Sequence, residues 1–297
     1  MKTLSLNFSN QKGVTIVELM IALLVGLFLC LGMLQLFISN KQSHDTITGM
    51  AKLQNNARYV SNLISREIRM SNYAGCSSMS DVTATNLVKT TDADFDGIDF
   101  LWHFGQGALF QGPAFIGYEH NGSSWIPSNS FVSYLPDLDT SSDILVSRRM
   151  SEAVAKVRKQ PDANAASLFF YDRDGALGKE GNLTIEDGRI YMLSDCTANI
   201  YVFQIQSVSN GTGGTTKITI SGSSDKPGNT APKVGKEVPE NAELGSFETS
   251  IFYVKVDNNN NRSLMRARVD YASNQPMLQI EELAKGIDSL QFEYGID

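Results

Sequence analysis

From Val14 to Ile38 the chain carries 25 residues and a single charge, Glu18. About 20 apolar residues cross a bilayer as a helix. Leu19 to Ile38, reading LMIALLVGLFLCLGMLQLFI, meets that length, and no second run does. The sequence therefore predicts one crossing. Lys2 and Lys12 precede the run, and Lys41 is the first charge after it. Basic residues favour the cytoplasmic side, so the N-terminus is expected inside and the bulk of the chain outside. A secretory signal peptide would have a shorter apolar core and a small-x-small cleavage site. Leu36-Phe37-Ile38 offers none. Tyr73-Ala74-Gly75-Cys76 resembles a lipoprotein signal but lies too far downstream for a signal peptidase. A plain signal anchor is the remaining alternative.

A plain anchor leaves Glu18 unexplained. A carboxylate at the centre of a membrane helix costs about 2.5–3.5 kcal/mol, less near an end. Such a group calls for a cation at similar depth. Cleavage after Gly13 would create one, the amino group of Val14, four residues before Glu18. Lys12-Gly13-Val14-Thr15-Ile16-Val17-Glu18-Leu19 resembles the class III signal of type IV pilins and pseudopilins. That signal is a basic leader ending in Gly, an apolar first mature residue, and Glu at the fifth mature position. The first mature residue here is Val14, where Phe is commoner. The resemblance implies that prepilin peptidase in the inner membrane cuts between Gly13 and Val14 and methylates the new amine. It also implies an assembly charge pair between Glu18 and a Val14 amine. The remaining 284 residues carry 23 basic against 32 acidic side chains. Major pilins are usually much shorter, so this length implies a minor component.

Composition bounds the rest. Hydrophobic residues make up 42% of 297 and charged residues 19%, enough for a packed core. The net charge of −7 argues against a nucleic-acid surface, and none is required as a partner. Three cysteines do not build a disulfide scaffold, and His44, His103 and His120 show no metal-ligand spacing. No nucleophile elbow, P-loop, dinucleotide fingerprint or zinc-protease motif occurs. Gly211-Thr212-Gly213-Gly214 lacks the Gly-Lys ending of a P-loop. The expectation is a protein that is not an enzyme.

No proline occurs between Met1 and Phe110, so the helix is expected to continue past the membrane. Leu53, Ala57, Val60, Ile64 and Ile68 mark one helical face, and Gly75 is a terminator near Tyr73. Val14 to Tyr73 would span roughly 90 Å. Cys30 reads as a small buried hydrophobe within the run. Beyond Gly75 the pattern turns to strands, at Ile98–His103, Asp143–Arg149, Ser167–Tyr171, Arg189–Leu193 and Ile200–Val208. Lys217–Ile220, Ile251–Val256, Ser263–Val269 and Ser289–Tyr294 follow, with Asn258-Asn259-Asn260-Asn261 as a hairpin loop. Most of 209–249 reads as a loop. The predicted organisation is a leader (1–13), a transmembrane or filament-core helix (14–38), its amphipathic continuation (39–75) and a periplasmic β-rich domain (76–297). The fold class is α+β: a long N-terminal helix on an antiparallel sheet with large insertions, as in type IV pilins.

Asp143-Ile144-Leu145-Val146 followed by Arg148, Ser194-Asp195-Cys196, and the ending from Leu283 to Gly295 resemble minor pilins of the PilW type. That resemblance implies a minor pilin held in the inner membrane until assembly. It would then sit at the pilus tip with other minor pilins, the major pilin and a large adhesin, priming the filament. A minor pseudopilin of type II secretion and a tip-located binding or adhesion module are the alternatives. Trp102, Trp125 and Tyr134 are candidate surface aromatics for the latter, or core residues. Cys76 and Cys196 form the extracytoplasmic cysteine pair, expected to bridge the helix end to the sheet, against the alternative of two free thiols. Asp92, Asp94 and Asp96, with Gly97, match the first half of an EF-hand loop and are candidate calcium ligands. The twelfth position is His103 rather than Glu, so the alternative is a polar turn. Asp172-Arg173-Asp174-Gly175 reads as a turn. One outcome follows: N-terminal sequencing of filament-associated protein is expected to begin at Val14. A chain that still begins at Met1 in pili would refute the class III assignment.

Overall fold

The computed structural model describes residues 13–71, 73–78, 83–89, 115–127, 130–151, 155–159, 165–171, 185–197, 199–210, 215–220, 222, 227–272 and 275–293. The expected strand at Ile98–His103 and the turn at Asp172–Gly175 fall outside them, as do Trp102 and Gly211–Gly214. Two compact units emerge, Met1–Ala57 and Arg58–Asp297.

The described part of the first unit is helical from Ile16. It belongs to α1, which runs Ile16–Met70 without interruption. Gly26, Gly32 and Gly49 each cost a helix about 1 kcal/mol relative to Ala, yet none breaks it. The side chains from Val14 to Ile38 are exposed. Cys30 is exposed and free within the same stretch. Among the described residues nothing covers this stretch; it is one helix long and apolar enough to cross a membrane.

The second unit opens with the last turns of α1. Val60 and Ile64 bury as expected, but Leu53 and Ile68 are exposed. The buried face is Val60, Leu63, Ile64 and Glu67. The apolar spacing missed it because its last member is a carboxylate. The helix ends at Met70 rather than Tyr73. Ser71 closes it, donating its N–H to the Glu67 carbonyl and its hydroxyl to that of Ile68. Gly75 is not the terminator. At φ 70° it turns β1 (Tyr73–Ala74) into β2 (Ser77–Ser78).

Twelve further strands follow among the described residues. They are β3 (Thr83–Asn86), β4 (Phe115–His120), β5 (Trp125–Ile126), β6 (Ile144–Met150), β7 (Ala155–Lys159) and β8 (Ser167–Tyr171). Next come β9 (Ile190–Ser194), β10 (Asn199–Asn210), β11 (Thr215–Ile220), β12 (Glu243–Val256), β13 (Arg262–Ala272) and β14 (Gln275–Lys285). They form two bodies that share β12. One is an open antiparallel sheet in the order β14-β13-β12-β6-β4-β5. The other is closed: β12 pairs β9, β9 pairs β10, and β10, β11, β8 and β7 lead back to β12, every pair antiparallel. Among the described residues this six-stranded ring closes on itself without a free edge strand. Alternation fills it with Tyr191, Leu193, Tyr201, Phe203, Ile218, Phe170, Val157 and Leu244. The opposite residues of β9 and β10, Ile190, Met192, Ile200 and Val202, join Ile144, Val146, Ile251 and Tyr253 in a second core. That core lies between the barrel wall and one face of the open sheet. The other sheet face, with Leu145, Phe252 and Leu264, takes Val60 and Ile64 of α1.

Several strands depart from expectation. β3 pairs β10 in parallel, so the sheet is mixed rather than wholly antiparallel. The strand expected at Lys217–Ile220 is present as β11, but the loop expected over most of 209–249 also gives way to the first seven residues of β12. Ser289–Tyr294 is not a strand where described, since residues 286–293 form an irregular strap. The strand before it, β14, is not among the expected strands; it carries Pro276 and the helix-favouring run Glu281-Glu282-Leu283-Ala284-Lys285. Proline is tolerated because β14 is an edge, paired among the described residues to β13 alone. Where β10 leaves β9, Gln204 is kept satisfied by a side chain acting as a strand. Its N–H donates to Asn229 Oδ1 (2.9 Å) and its carbonyl accepts from Asn229 Nδ2 (2.9 Å).

The helix face can be tested directly. In the detergent-solubilised chain, Ile64→Ala is expected to lower unfolding stability by about 2–4 kcal/mol. Leu53→Ala is expected to stay within about 0.5 kcal/mol of the parent. Equal losses in urea melts would contradict the observed packing.

Candidate functional site

Gly13, Val14 and Thr15 precede the first helical residue, Ile16. Thr15 is the N-cap. Its carbonyl accepts from the Leu19 N–H (3.1 Å) and its Oγ1 from the Glu18 N–H (3.3 Å). Thr15-x-x-Glu18 has the spacing of a capping box, a signal available in the sequence and overlooked there. It puts a carboxylate in the first turn, where the unpaired amides of the helix favour negative charge. No cation among the described residues pairs with Glu18. The structure thus brings Gly13, Val14 and Glu18 to one helix start, followed by the exposed apolar stripe.

At the other end of α1, Cys76 and Cys196 form a disulfide, Cα–Cα 5.0 Å, closing a span of 120 residues. The bridge ties the chain just after the helix to the turn between β9 and β10. In the chain-entropy picture a loop of this size contributes about 4–5 kcal/mol. Ala74 is fully buried beside it, so the lipoprotein-like Tyr73–Cys76 sequence is part of the packed domain. Glu67 lies under the helix with Oε2 3.7 Å from Arg149 Nε, and Arg149 Nη2 reaches Glu248 at 2.7 Å. Breaking a buried pair of this kind leaves an uncompensated charge, which disfavours other seatings of the helix turn. On the opposite sheet face Arg148 is fully buried. Burial pushes its guanidinium down to about 10, with Tyr118 opposing, so it keeps its charge at neutral pH.

Two of the three segments that carry the PilW-type resemblance, near Asp143 and after Leu283, meet in space, while Ser194-Asp195-Cys196 lies at the disulfide. The strap after β14 starts at Gly286, whose N–H donates to the Arg262 carbonyl. The Asp143 N–H donates to the Leu290 carbonyl (2.8 Å), the Leu290 N–H to Ser142 Oγ (2.8 Å), and the Phe292 N–H to Asp143 Oδ2 (2.8 Å). Side chains of Ser142 and Asp143 take the amides that a ladder would have paired with carbonyls, which is why no strand forms. Ile287, Leu290 and Phe292 pack on the helix-facing core. Arg262 joins the clasp through Asp139 (2.6 Å) and Asp288 (3.0 Å). Burial raises the Asp139 carboxyl pKa, but the Ser141 N–H, Arg262 and the Ser141 hydroxyl outweigh it and hold it below the ordinary range. A polar cleft of about 580 Å³ beside the clasp is lined by Asp257, Asn261, Arg262, Glu282 and Lys285. Arg262 and Lys285 are paired to acids there, and the lining includes no cysteine or histidine.

Asp92, Asp94 and Asp96 lie outside the described residues. Among the described residues no group of His, Cys, Asp and Glu is arranged to hold a metal ion. Trp125 is partly buried against the second core, and Tyr134 is 44% exposed.

Residues 251–297 match the family model described as Type IV Pilus-assembly protein W. Residues 8–34 match the Prokaryotic N-terminal methylation motif. No curated protein and no solved structure matches the chain. The chain is PilW-like where β12, β13, β14 and the strap build the helix-facing core, and prepilin-like where the apolar helix begins. Together these matches support a type IV pilus minor pilin, a structural component anchored by its N-terminal helix.

The clasp has a pH signature. A carboxyl held low in the fold stabilises it above the unfolded value, about 3.9, and that contribution is lost as pH falls through the folded value. The melting-temperature gap between the parent and Asp139→Asn is therefore expected to be widest near neutral pH and to close below about pH 4. A gap independent of pH would refute a charged Asp139 as the source of stability.

Proposed function

We infer that the chain is a minor pilin that helps prime a type IV pilus as part of a tip complex with other minor pilins. In this reading it is cut between Gly13 and Val14, methylated on the new amine, and anchored with its globular domain in the periplasm. The observation that carries it is a helix whose apolar flank is exposed from its first turn and which bears one acid, Glu18, at that turn. Such a stripe needs lipid or like helices around it. Retention in the membrane and entry into a filament core meet the same need.

Glu18 then acts in assembly. A carboxylate at the edge of an apolar layer is costly alone. The Val14 amine of a neighbouring copy or a partner pilin, staggered along the filament axis, neutralises it. Low dielectric strengthens that pair, while desolvation offsets much of the gain. The pair's larger effect is register, since a shifted helix leaves two charges unmatched. The match to a pilus-assembly family, rather than to a secretion component, favours the pilus over the pseudopilin alternative.

Glu18→Ala is expected to be cleaved after Gly13 and inserted as the parent is, because neither step uses the pair. It should be recovered poorly with partner pilins on co-purification from membranes, and deletion of the gene should lower surface pilus number while membrane-held major pilin persists. Parental recovery of Glu18→Ala with normal piliation would sink the assembly role.

A further inference from the structure

The tip of the β4–β5 hairpin holds an arrangement unrelated to anchoring or assembly. The hairpin is closed by Glu119 opposite Ile126 and His120 opposite Trp125, leaving 121–124 as an exposed loop. Its sequence begins Asn121-Gly122. An asparagine followed by glycine can cyclise, because the next backbone nitrogen can attack the side-chain carbonyl carbon and glycine offers no Cβ to hinder it. Three features of the loop bear on that reaction. The Gly122 N–H, the attacking group, donates to His120 Nδ1 at 3.2 Å. Asn121 Oδ1 accepts from the N–H groups of Ser123 (3.0 Å) and Ser124 (2.9 Å). Gly122 has open space where a Cβ would stand and adopts φ 92°. The His120 ring is set edge-on to Trp125, ring centroids 5.0 Å apart, and Nδ1 as acceptor places the ring proton on Nε2.

We propose that Asn121 is a self-modifying residue, converted to aspartate and isoaspartate through a succinimide, with His120 as the base. Neutral His120 takes the Gly122 amide proton as that nitrogen bonds to Asn121 Cγ. The charge developing on Oδ1 is met by the Ser123 and Ser124 amides, two donors already aimed at it. The Cγ–Nδ2 bond then breaks, and the amide nitrogen leaves as ammonia with the proton that His120 returns. Water opens the ring at either carbonyl, giving aspartate or isoaspartate. Water is the one co-reactant, and no oxidant or reductant is involved. The product adds one negative charge to the hairpin tip. The isoaspartate form also lengthens the backbone there by one carbon, so the charge of this loop records time since folding.

The test follows amide-to-acid conversion in the full-length, detergent-solubilised chain by peptide mapping and mass spectrometry, with enzymatic isoaspartate methylation as a second readout. Asn210-Gly211, the chain's other Asn-Gly pair, is scored in the same digests. Conversion of Asn121 in the folded chain is expected to exceed that in the urea-unfolded chain by about a hundredfold, the low end of what a positioned base contributes. His120→Gln retains an acceptor for the Gly122 N–H but no base, and is expected to fall to the unfolded rate while melting as the parent does. The Asn210 rate should be the same in parent and variant. Asn121 conversion no faster in the fold than in urea would overturn the proposal, and an unchanged rate in His120→Gln would overturn the assignment of the base.

Discussion

The architecture depends on one strand serving two sheets. β12 has 14 residues, and its backbone groups must be paired along their whole length because most of them are buried. From Glu243 to Ser246 they are paired by β9, with β7 on the other side at Glu243 and Leu244. From Phe247 to Phe252 the partner on one side is β6, and β13 pairs Ser250 to Val256 on the other. The change of partners is what joins barrel to open sheet. Gly245 sits in the barrel half, where a Cβ would come within 2.7 Å of the Met150 side chain and 3.0 Å of the Ser151 carbonyl. Glycine there lets β6 and its exit pass close to the shared strand.

The fold puts its two kinds of apolar surface to different uses. The barrel and the open sheet bury theirs within the chain, in three clusters separated by the sheet and by the barrel wall. α1 keeps its first apolar turns exposed and buries a short face near its end. That division keeps the packing of the globular part independent of what surrounds the exposed helix turns. The disulfide, the Glu67–Arg149–Glu248 group and the clasp all act on the elements around the end of α1.

The clasp gives a physical content to the family resemblance. Asp143 and Phe292 are 149 positions apart, yet a carboxylate–amide bond joins them. The segment that matches the PilW model, residues 251–297, includes the strap that closes the helix-facing core in place of another strand. The barrel, by contrast, lies mostly in sequence between β6 and the matched segment, and it packs on the sheet face away from the helix. Its placement leaves the helix face unaltered.

The sequence by itself determined the long helix, its apolar first half and the special place of Glu18, because these follow from composition, absence of proline and local spacing. Strands such as Ser167–Tyr171 and the hairpin around Asp257–Asn261 were legible for the same reason: alternation and turn residues act over a few positions. The cysteine pair was legible because few partners existed. Only the tertiary structure decided the rest. Ala155–Lys159, with three basic residues in five, is not among the expected strands, and it is one because β8 and β12 supply its hydrogen bonds. Glu67 interrupts the apolar spacing of the helix face, and it is buried where Arg149 faces it from the sheet. Closure of the barrel, the clasp on Asp143 and the meeting of His120 with the Gly122 amide depend on pairings that no local pattern encodes. Pairing of distant strands is settled by which arrangement satisfies every buried amide at once, and that condition exists only in the folded chain.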